Sequence, residues 1–148
     1  FIGEAPGKEE DALGLPFVGR SGKLLTNIFA SLNIDSEKIY ITNVVKCRPP
    51  QNRLPEVIEA EICKKTLLDQ QISIIGPKII CVLGSFAAHT LLKTATAISK
   101  LRGKAHLYRS SVVIATYHPA YILRSPRKLP LLAEDIRYAF SLLNTNGQ

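Results

Sequence analysis

Pro77-Lys-Ile-Ile-Cys-Val-Leu-Gly84 is a nearly continuous apolar run between a proline and a glycine. A strand with one wet face alternates apolar and polar residues, whereas a strand of a parallel sheet is covered on both faces and does not, so this run reads as a parallel strand. Downstream, Ser85 is placed to cap a helix through Leu92, Ser111-Val-Val-Ile-Ala115 is a second strong strand, and Leu131 to Leu143 forms a closing helix. Upstream, Ser21 caps a helix whose apolar face is Leu24, Leu25, Ile28, Phe29 and Leu32, ending near Asn33. Ile39 to Val45 is a β-branched strand that runs into Cys47-Arg-Pro-Pro, where two prolines forbid both helix and central ladder. Pro55 then opens a helix with a buried stripe of Ile58, Ile62 and Leu67 to Leu68. Phe1-Ile2 reads as the tail of a further buried strand. Strands separated by helices of about ten residues imply an α/β fold, a three-layer α/β/α sandwich around a central, largely parallel four-stranded sheet.

The chain has 148 residues, 46% hydrophobic and 21% charged, without repeat, linker or low-complexity tract, and is expected to form a single domain over residues 1–148. A net charge of +7 favours a polyanionic partner, because clustered Lys and Arg bind phosphates and release counterions. No apolar run approaches the ~18 residues that cross a bilayer, and nothing resembles a secretory signal, so no membrane partner is expected and the protein is expected in the cytoplasm. The chain lacks Met and begins inside a strand, so an upstream segment is expected.

Three polar segments follow predicted strands. Phe1-Ile-Gly-Glu-Ala-Pro-Gly7, with Lys-Glu-Glu-Asp11 and Gly14-Leu-Pro-Phe-Val-Gly19 behind it, packs four glycines, two prolines, three glutamates and an aspartate into nineteen residues. Glycine and proline there fix backbone that can hold a ligand, and Phe17 offers a flat face for a planar ring. The second segment is Tyr40-Ile-Thr-Asn43-Val-Val-Lys-Cys47-Arg-Pro-Pro-Gln-Asn-Arg53, and the third is Thr116-Tyr-His118-Pro-Ala-Tyr121. Ligands of open α/β sheets gather at the carboxyl ends of the strands, so the three segments are expected to converge on one rim.

With GEAPG, PFVG, NVVKCRPPxNR and YHPAY in this order and spacing, the chain resembles the family 4 uracil-DNA glycosylases over essentially its whole length. The resemblance implies a fold like theirs and hydrolysis of the uracil N-glycosidic bond in DNA. It places Gly3, Glu4, Ala5, Phe17, Asn43 and His118 on the uracil pocket. Such an enzyme flips the nucleotide out and reads its Watson–Crick edge. The Asn43 amide can pair with O4 and N3–H of uracil, Phe17 can stack on the ring, and His118 can donate to the oxyanion that develops on the leaving base. Ala5 stands where classical uracil glycosylases have Asp, which leaves Glu4 and then Glu10, with Asp11 behind them, as candidates for organising the attacking water.

Lys46, Arg48, Arg53, Arg102 and Arg124 are candidate phosphate contacts, and Tyr121 and Leu123 could enter the gap left by a flipped base. The expected partner is uracil-containing DNA, single- or double-stranded, met by a monomer in the nucleoid. The resemblance also implies a 4Fe-4S cluster in which Cys47 and Cys63 form one half-site and an upstream C-x-x-C pair the other. Such a cluster needs four thiolates, and because this chain has no C-x-x-C, the cluster is expected to be absent or incomplete in it. Cys81, in a strand, is expected to be a small core residue. Gly19-Arg-Ser-Gly-Lys23 is no phosphate loop, because Phe17 and Leu24 stand where that motif needs Gly and Ser or Thr. The rival reading is a fold relative that binds DNA without turnover.

Overall fold

The fold comes from a computed structural model in which residues 1–145 are described. In chain order the elements are β1 (Ile2–Gly3), α1 (Lys8–Leu13), α2 (Arg20–Ser31), β2 (Thr42–Asn43), α3 (Val57–Cys63), α4 (Asp69–Ile75), β3 (Ile79–Leu83), α5 (Ser85–Leu92), α6 (Ile98–Leu101), β4 (Ala105–Tyr108), β5 (Ser111–Thr116), α7 (Pro119–Arg124) and α8 (Leu129–Thr145). They form one sheet in the order β2-β1-β3-β5-β4. The first four strands in that order run parallel, and β4 pairs antiparallel with β5.

Burial on both faces explains the unbroken apolar runs. In β3, Ile80 and Val82 join the core built with α3, α4 and α5, whereas Leu83 joins the opposite core of α2, α7 and α8. Both layers of helices are therefore needed to keep the sheet dry, which is the three-layer sandwich expected.

The sheet has five strands rather than four. The added strand, Ala105-His-Leu-Tyr108, is an edge strand with Ala105 and Leu107 exposed, so it carries none of the apolar continuity that marks β3 and β5. β2 is shorter than Ile39 to Val45, but parallel pairing continues past it through Val44 N–H to Gly3 O and Val45 N–H to Glu4 O, both 2.9 Å. Gly19 and Gly84, not Ser21 and Ser85, occupy the cap positions of α2 and α5. α3 begins after a capping box between Glu56 and Glu59 rather than at Pro55. The closing helix starts two residues earlier than expected, at Leu129.

Of the stripe expected after Pro55, only Leu68 is buried. Ile58, Ile62 and Leu67 are 55%, 56% and 47% exposed, and the core side is Ala60, Leu68 and Ile72. A π-helical turn at Lys64–Leu68 joins α3 to α4. Its wider spacing rotates the face that regular helical periodicity assigns.

Candidate active site

The carboxyl ends of β1 and β3 border the crevice where the strand order reverses: β1 leads to β2 on one side, β3 to β5 on the other. Such a switch point opens a cleft between loops that diverge. Gly3 ends β1, Asn43 ends β2, Gly84 follows β3, and Thr116-Tyr-His118 leaves β5. The three expected segments thus meet on one rim.

Gly3 is the floor of a narrow slot. A Cβ on it would lie 2.5 Å from Asn43 Oδ1 and 2.6 Å from the Phe17 ring, so only glycine leaves the space between them open. Asn43 is buried, and its Oδ1 has no hydrogen-bond partner among the described residues. An orphaned buried acceptor is costly, and a ligand N–H would satisfy it.

Phe17 is held there under strain, with φ at 51° in the left-handed region. Gly22 makes this possible, since any side chain on it would run into the Phe17 carbonyl. Glu10 completes the loop: its Oε1 accepts from Val18 N–H at 3.1 Å and Gly19 N–H at 3.0 Å. One oxygen of Glu10 is thus engaged in fixing the turn that carries Phe17. Glu4 is half-buried, burial raises its pKa, and among the described residues its carboxylate takes no hydrogen bond. Glu4 is therefore the freer carboxylate on the rim.

His118 caps α7. Its Nδ1 accepts from Ala120 N–H at 3.0 Å, which leaves the proton of the neutral ring on Nε2. Its ring lies 5.9 Å from that of Phe17, and its Cβ packs against Gly84, where a side chain would clash at 2.9 Å. Burial, helped by Arg124, lowers its pKa to about 4. The imidazole is therefore a neutral Nε2–H donor at pH 7. Because the folded pKa lies below the ordinary 6.5, the unfolded chain binds the extra proton between these values, and the contribution of His118 to stability is complete above pH 6.5 and is lost as pH falls toward 4. Melts of the wild type and His118→Gln from pH 8 to 4 should show their stability difference shifting across that window in the direction of a weaker wild type. A difference constant with pH would place the His118 pKa near its ordinary value.

The expected DNA rim divides. Lys46 points inward, donating to Asn43 O and Gln71 Oε1 at 2.6 Å and Thr42 Oγ1 at 2.7 Å, and burial lowers its pKa to about 8. Arg102 is also corrected, because it forms a two-pronged pair with the buried Asp135 at 2.9 and 2.7 Å. Arg53 is held by Glu59 at 2.7 and 2.9 Å. Neither Lys46 nor Arg102 is free to meet a phosphate. Arg124 and Leu123 are exposed at the end of α7, Arg48 Nε donates to Asn52 at 2.7 Å, and Tyr121 OH accepts from Lys128 at 2.9 Å. The structural roles of Gly22, Gly84 and Lys128 had no signal in the sequence read alone, since each depends on how the backbone folds back on Phe17, His118 and Tyr121.

Cys47 is exposed and Cys63 partly buried, whereas burial raises the Cys81 thiol to about 12 and makes it a core residue as expected. Among the described residues no group of three or more His, Cys, Asp or Glu side chains could hold a metal. Cys47 and Cys63 supply two thiolates, so the residues present do not fit a complete four-thiolate cage. A cavity of about 410 Å³ lies at the opposite, amino end of the sheet, lined by Phe1, Ile39, Leu68, Ile75, Cys81 and Phe140 among others. A second pocket, of about 280 Å³, lies beside Asn43, Glu10 and Asp11.

The description "Uracil DNA glycosylase superfamily" belongs to the family model that matches residues 1–140. The chain belongs to that superfamily. It is 43% identical over 146 residues to a type-4 uracil-DNA glycosylase of Sulfurisphaera tokodaii, covering 93% of this chain and 66% of that protein. It is 45% identical over 135 residues to one from Archaeoglobus fulgidus, covering 86% and 67% of the two chains. A third, from Thermotoga maritima, is 43% identical over 151 residues, covering 99% and 78%. The chain thus spans about two thirds of the length of the first two superfamily members. Among the described residues no helix is long and apolar enough to cross a membrane.

Proposed function

We propose that the protein is a uracil-DNA glycosylase that takes a flipped uracil into the Gly3 slot and hydrolyses its N-glycosidic bond to leave an abasic site. The observation that carries this reading is the orphaned Asn43 Oδ1 beside Gly3 and Phe17. Uracil presents N3–H to that acceptor and O4 to the amide NH₂. Cytosine presents a lone pair at N3 instead, which would leave Oδ1 facing another acceptor.

Phe17 stacks on the ring and Gly3 leaves room for it. As the C1′–N1 bond breaks, its electron pair moves onto uracil and the sugar becomes oxocarbenium-like. His118, neutral, donates from Nε2 to the oxygen on which charge develops, so no proton need be transferred to stabilise the leaving base. Glu4 orients the water whose oxygen bonds to C1′, and its half-buried carboxylate accepts a hydrogen bond from that water. Ala5, next to it, packs against the core beneath the rim.

The exposed Arg48 and Arg124 contact phosphates, and Tyr121 and Leu123 approach the strand opened by flipping. Arg53 stays with Glu59, and Lys46 and Arg102 hold the rim together from inside. The protein acts as a monomer on single- or double-stranded DNA, in the cytoplasm, within base excision repair. Cys47 and Cys63 are the two thiols it would offer to a 4Fe-4S cluster, the other two coming from outside the described residues; no step above passes through it.

The test is incubation with a uracil-containing oligonucleotide followed by alkali. Cleavage at the uracil without added metal or nucleotide is expected. Intact oligonucleotide after treatment with excess folded protein that still binds it would favour binding without turnover. Base choice should depend on one side chain. Asn43→Asp is expected to lower uracil release and to erode the preference over cytosine, because the carboxylate accepts from the cytosine amino group where the amide gave O4 a donor. Unchanged uracil release would make Asn43 structural.

A further inference from the structure

Among the described residues Asp135 is the most deeply buried charged side chain, 1% exposed on α8 beneath the end of β5. Its Oδ2 accepts from Thr116 Oγ1 at 2.6 Å and from Arg102 Nε at 2.9 Å, and its Oδ1 accepts from Arg102 Nη2 at 2.7 Å. Gly103, at φ 66°, brings backbone so close that a Cβ there would lie 3.1 Å from Oδ1. Arg102 Nη2 also reaches Leu131 O at 3.3 Å and Glu134 at 3.5 Å.

A buried ion pair is weak evidence for stability, because well-packed apolar residues often replace one without loss. What this one does provide is a fixed position for the last residue of β5, two places before His118. The Thr116 carbonyl is held as well, accepting from Gly84 N–H at 2.9 Å. The ring of Tyr117 then lies under two cations, Arg102 at 5.8 Å and Lys128 at 5.0 Å, and 5.1 Å from the ring of Tyr121. His118 itself is held by Ala120 N–H and by contact with Gly84.

We propose that Asp135 is a positioning residue for His118, acting through the hydroxyl of Thr116, with Arg102 as the partner that holds the carboxylate in place. The inference rests on the glycosylase reading for its effect on rate, but not for its effect on the imidazole. An oxyanion donor works only when it is set in advance, and a misplacement of about 1 Å can cost about 10²-fold.

Thr116→Val removes the hydroxyl with little change of shape and leaves Asp135 paired with Arg102, and Thr116→Ser keeps the hydroxyl. Single-turnover uracil release by Thr116→Val is expected to fall about tenfold or more, with affinity for uracil-containing DNA within about twofold because phosphate contacts are untouched. Thr116→Ser should restore most of the rate. Imidazole ¹⁵N spectra of the DNA-free protein, recorded where all variants are folded, should show the Nε2–H form of His118 in the wild type and in Thr116→Ser, and altered His118 signals in Thr116→Val. Wild-type signals in Thr116→Val would overturn the proposal. So would a Thr116→Ser variant as impaired as Thr116→Val, which would make the effect one of packing. Because the spectra need no substrate, they decide the positioning role even if the wild type releases no uracil.

Discussion

His118→Ala is expected to lower single-turnover uracil release by about 10²-fold or more, as removal of one oxyanion donor typically does. The magnitude follows from where the charge goes. The leaving base carries the electron pair of the broken bond, and the neutral His118, with Nδ1 engaged by Ala120 N–H, keeps its Nε2–H as a donor in a buried setting where a hydrogen bond to an anion is strong. Affinity for uracil-containing DNA should change little, since it rests on phosphate contacts that His118 does not make. The variant also loses the α7 cap, at about 0.5–2 kcal/mol, so rates belong well below its melting temperature. Wild-type release by a folded His118→Ala variant would remove the residue from the mechanism.

The second large effect is expected from the smallest change. Gly3→Ala places a methyl group 2.5 Å from Asn43 Oδ1 and 2.6 Å from the Phe17 ring, so one or both must move. Phe17 has little freedom, because its left-handed backbone is fixed by Gly22 behind it and by Glu10 on Val18 and Gly19. Asn43 lies in the parallel ladder beside β1. The methyl group would therefore occupy the space of the base. Uracil release should fall about 10²-fold or more, the scale of an approximately 1 Å misplacement, while binding of undamaged DNA is retained. Release within a few-fold of wild type would mean that the base lies elsewhere.

The central strands were legible because burial on both faces forces an apolar run that no wet strand carries, as in Ile79 to Leu83 and Ser111 to Thr116. β4 was not, because an edge strand has only one packed side and Ala105 to Tyr108 are too few to show alternation. The helix after Pro55 was readable in existence but only at Leu68 in orientation, since the π-helical turn at Lys64–Leu68 breaks the period by which a buried face is inferred. The site followed the same division. Gly3 and Asn43 end parallel strands and His118 follows one closely, so topology brings these three together, whereas Phe17 lies beyond α1 and is placed by Glu10 and Gly22. Arg102 and Lys46 were misjudged because charge in a sequence reads as surface, and only the fold reveals Asp135 on a helix 33 residues away or the Gln71 and Asn43 oxygens around Lys46. Glu10 shows a role that the sequence did not suggest: a carboxylate near a ligand loop can bind the loop itself.

A crystal structure of the protein with an abasic-site oligonucleotide and free uracil tests the slot most directly. Uracil should stack on Phe17, with N3–H on Asn43 Oδ1, O4 on its amide nitrogen and O2 facing His118 Nε2. Uracil bound instead in the cavity at the amino end of the sheet, or in the slot with Asn43 Oδ1 still unpartnered, would contradict it.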